Sequence, residues 1–438
     1  MAAAFACALP ATHLASRARH HAALRLLPFL FVLYVANYLD RTSVAYAAIG
    51  MSRDLGFSDK VFGLGVGIFF LSYLALQIPG ALLVERWSAR RMISATMITW
   101  GSVTVLTALV RTPAQLYVAR FLLGAAEAGF FPGVIVYLSH WFARTDRAKA
   151  TSNFMSAIPI SLVIGSPLAG WLLGKSWLAL QGWRWLFIIQ GAPAIVLGIV
   201  AYFYLTDWPA EAGWLAPEQR EWITDELRAE KSADAAATTI GQTLRSRTVL
   251  LMAAVCFLLY VESYSLMFFF PTMLKRLSGL PDATVGLLGA LPYVASFIVM
   301  QANGWHSDRT RDRRWHVAVP AFLAAAGLIG LVVPSQSIAF SIVMFTLATM
   351  GGSVYLPVFW AVPTESLSAS AGAAAVGFIN AIGSIGGLAG PYLFGYLSTS
   401  LGSFSAGLAL MSVSALTAGL LMLRVPRSVR ATAPSTVT

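Results

Sequence analysis

The sequence predicts an all-α integral membrane protein with twelve transmembrane helices in two six-helix halves. The first observation is composition: 58% of the 438 residues are hydrophobic and only 11% are charged, whereas a soluble domain usually carries about 25% charged residues. The second is a series of twelve apolar runs, each long enough for the roughly 20 residues that a spanning helix needs. These runs lack the alternation that membrane β-barrels show. The third is a charged loop motif that recurs in both halves.

The twelve predicted spans are divided six and six by one long polar connection, residues 207–247. They cover residues 24–48, 61–84, 92–110, 116–140, 150–174, 183–205, 248–274, 284–305, 316–333, 338–361, 371–398 and 402–424. We therefore expect five segments: an N-terminal tail (1–22), a first six-helix bundle (23–206), a linker (207–247), a second six-helix bundle (248–424) and a C-terminal tail (425–438).

Lys and Arg residues are distributed unevenly between the predicted loops. With the N-terminus inside, 21 of the 30 fall on the cytoplasmic side and seven on the outer side, which follows the positive-inside rule. This predicts a multi-pass protein of the cell (inner) membrane with both termini in the cytoplasm. It also accounts for the net charge of +11 without a nucleic-acid partner. The remaining two cations, Arg41 and Arg120, lie within predicted spans.

Two polar segments lie outside the spans. Residues 1–22 are rich in Ala, with Arg and His; a targeting segment is one interpretation, but we expect a disordered cytoplasmic tail or a start codon assigned too early. The stretch from Pro217 to Lys231 predicts a short surface helix, because Pro217 suits a first helical turn and Glu218 and Glu221 suit the positive helix end. We expect this helix to lie along the membrane as a connector without a binding role.

The recurring loop motif follows the second predicted span of each half. It reads ALLVERWSARR in the first half and GWHSDRTRDRR in the second, and both copies fit the pattern acid–Arg–x–x–x–Arg–Arg. Two six-helix halves related by such a repeat are typical of a transporter that rocks around a central site. The motif residues are Glu85, Arg86, Arg90, Arg91, Asp308, Arg309, Arg313 and Arg314.

Four charged residues fall inside predicted spans of the first half: Asp40 and Arg41 in span 1, and Arg120 and Glu127 in span 4. A charge at mid-bilayer costs about 2.5–3.5 kcal/mol on insertion scales, so it persists only with a partner or in a water-filled cavity. Arg120 and Glu127 are two turns apart on one helix face. Gly124 lies between them, and we expect it to leave room as part of a cavity wall.

These four charges suggest proton coupling. When all are ionised, their charges cancel and each Arg can pair with a carboxylate. Protonation of Asp40 and Glu127 would free Arg41 and Arg120 to clamp an incoming carboxylate with bidentate hydrogen bonds. The competing interpretation is a structural network between spans 1 and 4, which is less favoured because buried ion pairs are weak stabilisers.

Other polar residues in the spans are weaker candidates. Glu262 in span 7 is a third intramembrane acid, either a further proton site facing the cavity or a neutral group hydrogen-bonded between helices. For aromatic residues, ordinary packing is the alternative to a role in the substrate pocket. The substrate-binding candidates besides the arginines are Asn37, Tyr38, Tyr73, Gln77, Tyr264 and Asn380.

Several other classes of protein are disfavoured. Cys7 and Cys256 are the only cysteines, so no disulfide framework or metal cluster is implied. The sequence has no His/Cys metal spacing and no nucleophile elbow, so we expect neither an enzyme nor a resident cofactor. The expected coupling ion is H⁺, with Na⁺ as the alternative. We expect a monomer whose partners are its substrate and the lipid bilayer, although a nutrient sensor on a transporter fold would show the same features.

The loop motif resembles that of the major facilitator superfamily, Gly-x-Leu-x-Asp-Arg-x-Gly-Arg-Arg. The first copy departs from it at Ala81, Glu85 and Ser88, whereas the second keeps Gly304 and Asp308. In that superfamily the motif holds neighbouring helices together on the cytoplasmic face and gates the outward state. The resemblance therefore implies a gating role for Glu85, Arg86, Arg90, Arg91, Asp308, Arg309 and Arg313.

Longer stretches are similar to the anion:cation symporter family within that superfamily, most of all to its tartrate, phthalate and hydroxyphenylacetate branch. They are ANYLDRTSVAYA, QIPGALLVERWSARR, ARFLLGAAEAGFFPGVIVYLSHWF, GWRWLFIIQGAPA and GFINAIGSIGGLAGPYLFGYL. The resemblance implies symport of a small organic anion with H⁺ or Na⁺. It also implies protonation at Asp40 and Glu127, anion or gating contacts at Arg41 and Arg120, and pocket positions for Tyr38 and Tyr73.

We therefore expect a secondary active transporter that imports a small organic acid anion together with protons by alternating access. The anion would be a hydroxy- or dicarboxylate, a sugar acid or an aromatic carboxylate. Two alternatives share the fold: a Na⁺-coupled anion symporter and a proton-coupled exporter. The exporter is suggested by GSPLAG in span 5, which is similar to a motif of drug/proton antiporters.

Overall fold

The computed structural model describes the backbone of residues 2–233, 244–333, 337–366 and 369–426. Within these ranges it describes the side chains except those of 2–13, 78, 81–82, 84–86, 144–145, 148, 232–233, 364–366 and 369–374. The predicted all-α architecture is confirmed. The β-structure in the described residues is one short hairpin, Ser176–Trp177 (β1) paired antiparallel with Leu180–Gln181 (β2).

The first half contains eight helices. Spans 4 and 5 are each built from two consecutive helices. The bounds are α1 Ala2–Leu55, α2 Asp59–Arg86, α3 Ala89–Thr107, α4 Pro113–Glu127, α5 Phe130–Trp141, α6 Arg144–Met155, α7 Ala157–Leu173 and α8 Gly182–Tyr204. A short 3₁₀ turn, Pro209–Glu211, and α9, Pro217–Ala233, follow in the linker.

The described residues of the second half form seven helices, because span 10 is divided between two of them. The bounds are α10 Arg247–Ser278, α11 Asp282–Thr310, α12 Trp315–Val332, α13 Ile338–Ser353, α14 Leu356–Ser366, α15 Ala369–Leu401 and α16 Ser405–Leu423. Among the described residues, eleven helical stretches are long and apolar enough to cross a membrane. The remaining predicted span, 92–110, corresponds to α3, which is less apolar because it carries two Arg and six Ser or Thr residues.

The N-terminal segment 1–22 differs from the disordered tail that we expected. Helix α1 begins at Ala2 and runs through this segment without a break. Alanine has the highest helix propensity, and Ala18 and Ala22 are buried against the rest of the first half. Arg19 forms ion pairs with Asp146 and with Glu226 of α9. The segment therefore extends span 1 as a helix, and the ion pairs of Arg19 hold it against the rest of the first half and α9.

The predicted surface helix of the linker is confirmed as α9. It packs against α1 and does not stand free as a connector: Ile223 is buried, and His21 of α1 contacts the Gln219 amide oxygen at 3.1 Å. Arg147 adds an ion pair to Glu230 at 3.0 Å. These contacts tie the linker helix to the first half.

The two halves meet along three helix pairs: α2 with α15, α7 with α11, and α1 with α10. The second span of each half thus packs on the fifth span of the other, which is the arrangement expected from an approximate two-fold repeat. Gly170 of α7 and Gly286 of α11 pack backbone to backbone, and a Cβ on either would lie 2.6 or 2.7 Å from the other's Cα. Larger residues at these two positions would force the halves apart.

Candidate functional site

The helix bundle has two ends, which differ in the elements they carry. The linker face is the end that carries α9 and the loop between α11 and α12. The opposite face is the end that carries the β1–β2 hairpin, where α1 and α10 end and α2 and α11 begin. We call Asp40, Arg41, Arg120 and Glu127 the charge cluster.

The charge cluster forms between α1 and α4, as the sequence predicts. All four side chains are buried, and none is more than 8% exposed. The Arg41 Nη2 donates to Glu127 Oε2 at 3.3 Å. Leu116, Arg120, Gly124 and Glu127 lie on the buried side of α4, so the two-turn spacing does place Arg120 and Glu127 on one face.

Gly124 does not line an open cavity, contrary to our expectation. A Cβ on Gly124 would lie 2.2 Å from the Phe69 carbonyl oxygen and 2.3 Å from Ser72 Oγ. The space beside this glycine is therefore filled by the backbone of α2. Its physical role is to let α2 and α4 approach closely, which brings α2 side chains onto the arginines of the charge cluster.

Aromatic rings enclose the two arginines. The Arg41 guanidinium lies 4.9 Å from the Tyr38 ring centroid, 5.7 Å from that of Phe69 and 5.8 Å from that of Tyr73. Arg120 lies 4.7 Å from the Phe69 centroid. Such cation–π contacts stabilise a guanidinium that has lost water. The sequence predicted Tyr38 and Tyr73 at this site but missed Phe69, which contacts both arginines.

Much of the hydrogen-bonding capacity of the charge cluster is unused. Both oxygens of Asp40, the Oε1 of Glu127 and the Nε of each arginine have no hydrogen-bond partner among the described residues. The Thr104 hydroxyl of α3 lies beside Asp40, within reach of a hydrogen bond to its carboxylate. Buried polar groups normally find partners, so this cluster can accept water, protons or a polar ligand.

The second half contributes one predicted residue close to the charge cluster. Tyr264 of α10 packs edge-on against Phe70 of α2 at 4.6 Å and lies within electrostatic range of Arg41. Asn380 instead accepts a hydrogen bond from Tyr260 at 3.2 Å, within the second half. Two candidates of the first half, Asn37 and Gln77, form no side-chain hydrogen bond in the described part of the chain. Asn37 is buried and Gln77 is half-buried.

The two copies of the loop motif lie on the linker face. In the first copy, Asp207 accepts hydrogen bonds from Ser88 Oγ at 2.6 Å and from the Arg90 backbone N–H at 2.9 Å, which fixes the start of α3 to the end of α8. In the second copy, Arg313 pairs with Asp308 at 2.6 Å. Arg91 and Arg309 are exposed. The side chains of Glu85 and Arg86 lie outside those that the structure describes.

Ion pairs join the two halves at the opposite face. Asp59, the first residue of α2, accepts two hydrogen bonds from Arg276 at 2.6 and 2.7 Å and one from Ser398 at 2.6 Å. Asp282, the first residue of α11, pairs with Arg53. The two pairs are crossed: in each half an Arg ends the first span, an Asp starts the second span six residues later, and each Arg pairs with the Asp of the other half.

The described hydrogen bonds and ion pairs between the halves all lie at this opposite face. The backbone there is also close-packed, since a Cβ on Gly395 would lie 2.2 Å from the Asp59 carbonyl oxygen. On the linker face, the described polar contacts stay within one half. In the described residues, polar contacts thus connect the two halves at the opposite face and do not connect them at the linker face.

Comparison with known proteins agrees with this architecture. The family model of the Major Facilitator Superfamily matches residues 30–391 and 252–437. A protein of Agrobacterium vitis, provisionally named a tartrate transporter, is 40% identical over 92% of this chain and 90% of its own length. The inner membrane transport protein RhmT of Escherichia coli is 35% identical (93% and 95% covered). A quinolone resistance transporter of Acinetobacter baumannii is 34% identical (89% and 90% covered).

Solved structures support the fold alone, because their identities are low. A bacterial homologue of the human lysosomal transporter Spinster superimposes with a TM-score of 0.76 at 20% identity, covering 92% of this chain and 97% of that one. The xylose transporter XylE of E. coli gives 0.72 at 15% identity, covering 93% and 97%. The family match covers well over half of the residues, and these relatives are named as transporters. The chain therefore belongs to the Major Facilitator Superfamily and is a multi-pass membrane transporter.

Proposed function

We propose that this protein takes up a small organic acid anion together with protons, by alternating access around the charge cluster. The observation that carries the proposal is the buried Arg41–Glu127 pair, with Asp40 and Arg120 beside it and much of its hydrogen-bonding capacity unused. No resident cofactor is needed; H⁺ is the coupling ion. Relatives named for tartrate and metabolite transport support a small organic acid as the cargo.

Proton binding would change the charge of the site by one unit per acid. With both carboxylates ionised, Arg41 is held by Glu127, and the net charge of the charge cluster is zero. Protonation of Glu127 weakens that pair and frees the fork of Arg41 for a carboxylate, to which a guanidinium can donate two parallel hydrogen bonds. Protonation of Asp40 leaves Arg120 as a second positive charge. Anion binding and proton binding then favour each other.

The surroundings of Arg41 limit the shape of the cargo. Tyr38, Phe69 and Tyr73 form one wall, and Tyr264 of the other half approaches from across the interface. Phenolic hydroxyls can donate to or accept from hydroxyl groups on a ligand, and the ring faces can pack on an apolar body. This fits a compact hydroxy acid or an aromatic acid close to Arg41.

We assign the linker face to the cytoplasm, because the predicted loops on that side carry most of the Lys and Arg residues. The crossed ion pairs then lie at the outer face. The conformation described here is accordingly closed to the outside, and uptake requires these pairs to break and re-form once per cycle. Localisation in the inner membrane with both termini inside belongs to the same proposal.

Uptake into proteoliposomes tests the proposal. The purified protein is reconstituted, and labelled tartrate, phthalate, 4-hydroxyphenylacetate and a sugar acid are offered under an inward pH gradient, an inward Na⁺ gradient, or no gradient. Accumulation under the pH gradient alone, abolished by a protonophore, supports the proposal. Accumulation that follows Na⁺ instead, or equal uptake without any gradient, contradicts proton coupling. An Asp225→Asn variant, altered at an exposed site on α9, serves as the matched control.

Export remains the second candidate function, because one relative at 34% identity is named a quinolone resistance transporter. An exporter would extrude a cationic or zwitterionic drug in exchange for protons. The same vesicles distinguish the two functions: quinolone loss from loaded vesicles, driven by a pH gradient and unaffected by organic acids, would favour export over uptake of anions.

A further inference from the structure

A buried acid of the second half is not used by the mechanism above. Glu262 lies in the middle of α10 and is 0% exposed. Neither of its carboxylate oxygens has a hydrogen-bond partner among the described residues. A buried carboxyl group left without partners is strongly destabilising when ionised and remains destabilising when neutral. An acid kept at such a position within a membrane indicates function.

Helix α13 has a glycine where it faces the Glu262 carboxyl group. Gly352 of α13 faces it, and a Cβ on that glycine would lie 2.8 Å from Oε2 and 3.2 Å from Oε1. The hydroxyl of Thr349, one turn earlier on α13, is buried and unsatisfied. The hydroxyl of Tyr355, just after α13, is also buried; it lies beside Ser263 and within electrostatic range of Glu262. The unpaired carboxyl group of Glu262 thus faces a notch made by glycine.

The break in span 10 occurs at this notch. Helix α13 ends at Ser353 and α14 begins at Leu356, so Gly352 belongs to the last turn of α13. The carboxyl end of a helix carries a partial negative charge from its free carbonyl groups. An ionised carboxylate beside that end is disfavoured, whereas a proton on the carboxylate is favoured. Interrupted helices of this kind form ion-coupling sites in other transporter folds.

In the part of the chain that the structure describes, no compensating cation pairs with Glu262. Helix α10 packs against α1, α11, α13, α15 and α16, and among their described side chains no Lys, Arg or His forms an ion pair with it. Among the described titratable groups, Tyr355 after α13 lies within electrostatic range of Glu262. Tyr264, on the same helix as Glu262, lies within electrostatic range of Arg41. The charge of Glu262 therefore has to be neutralised by a bound cation, and a proton is the smallest.

We propose that Glu262 is a proton-binding site of the second half, loaded in the conformation described here and emptied when α14 moves relative to α10. This deepens the proposed function and rests on its proton coupling. One proton bound by Glu262 would be released in each cycle, in addition to those of the charge cluster. The break between α13 and α14 supplies the hinge, since movement there changes the distance from Glu262 to Tyr355 and to the end of α13.

Infrared difference spectroscopy on the protein in lipid tests proton binding without any knowledge of the substrate. Parent, Glu262→Gln and the control Asp225→Asn are compared between roughly pH 5 and pH 9, where exposed carboxyl groups with ordinary pKa values near 4 are ionised. We expect the parent to show a band of a protonated carboxyl group that decreases towards alkaline pH. This band should be absent from Glu262→Gln and present in Asp225→Asn.

Two results of that experiment overturn the proposal. One is a parent-minus-variant difference that contains only ionised carboxylate, which would mean that Glu262 holds no proton. The other is a protonated band that does not change over the whole pH range, which would mean a permanently neutral group. If Glu262→Gln does not fold, Glu262→Asp replaces it; the band should then shift instead of disappearing.

The contribution of Glu262 to proton coupling has a separate test. For any acid that parent vesicles accumulate, the H⁺:substrate ratio is measured from the reversal potential, and Glu262→Gln should give a ratio lower by one with substrate exchange retained. An unchanged ratio overturns the coupling role even if Glu262 binds a proton. If no acid is accumulated by the parent, the proposed function fails, whereas the infrared result for Glu262 still stands or falls by itself.

Discussion

The crossed ion pairs at the opposite face allow a quantitative prediction. Arg276 makes two charge-assisted hydrogen bonds to Asp59, whose side chain is only 10% exposed, while Arg276 itself is 46% exposed. Hydrogen bonds to charged groups stabilise by about 1.5–3 kcal/mol, and exposed ion pairs by about 0–1 kcal/mol. This half-exposed pair should therefore stabilise the joined conformation by about 1–2 kcal/mol, which corresponds to about a 5- to 30-fold shift in the population ratio.

The assay is a distance measurement between spin labels on the two halves. Leu178 in the hairpin and Leu401 at the end of α15 are both exposed and lie at the opposite face, one in each half. Labels at these positions, with Cys7 replaced, should report a short distance in the parent protein. Asp59→Asn and Arg276→Gln should each increase the long-distance population. The double reversal Asp59→Arg with Arg276→Asp should restore the short distance.

The control variant is Asp225→Asn, because Asp225 is exposed and its ion pair with Arg228 lies within a single helix. It should leave the distance distribution unchanged. The reasoning is refuted if both single changes leave the distribution as in the parent. It is also refuted if the charge reversal behaves like the sum of the single changes, because coupled residues in contact must show an interaction energy.

Three further predictions concern α4, the charge cluster and the linker helix. Gly124→Ala should lower the melting temperature, because overpacking typically costs about 1–3 kcal/mol. Gly304→Ala should leave it unchanged, because no atom lies within 4 Å of the added Cβ. Equal melting temperatures of the two variants would contradict the close approach of α2 and α4. Arg41→Lys keeps the charge but loses the bidentate fork, so uptake should fall at least about tenfold, and unchanged uptake would remove Arg41 from the site. Arg19→Ala breaks one ion pair to Glu226 of the linker helix and one to Asp146 of α6. It should speed tryptic cleavage within α9 while the free energy of unfolding changes by less than about 1 kcal/mol; an unchanged cleavage rate would show that α9 is held by other contacts.

Much of the architecture follows from the sequence, because a helix must be long and apolar enough to cross the membrane. Length and hydropathy predict the spans, and the positions of Pro217 and Glu218 predict α9. The same reasoning failed for residues 1–22, because an Ala-rich, weakly polar segment is compatible with a tail or a helix. Contacts with Asp146 and Glu226, more than 120 residues away, decide between the two.

The charged residues of the candidate site could be predicted from the sequence. Ionisable residues in apolar helices need partners, and Arg41 and Glu127 form an ion pair. Phe69 was missed because an apolar aromatic residue on a membrane helix carries no signal of its own. Gly124 was misread because a glycine in sequence can indicate either empty space or close contact, and only the position of the α2 backbone distinguishes the two.

The crossed ion pairs were missed for a different reason. Arg53 and Arg276 counted only as loop cations, since their partners lie more than 200 residues away in the other half. A signal was nevertheless present: each half places an Arg and an Asp six residues apart at the junction of its first two spans. A spacing that recurs at equivalent positions of a repeat predicts reciprocal contacts across the two-fold axis.

Proton coupling through the charge cluster can be separated from substrate binding in one experiment. Parent, Asp40→Asn and Glu127→Gln are compared in vesicles for two activities with the same labelled acid: accumulation driven by a pH gradient, and counterflow driven only by unlabelled acid inside. The parent should show both activities, while the two variants should lose accumulation and keep counterflow. Accumulation at the parent level in both variants would contradict proton coupling through the charge cluster.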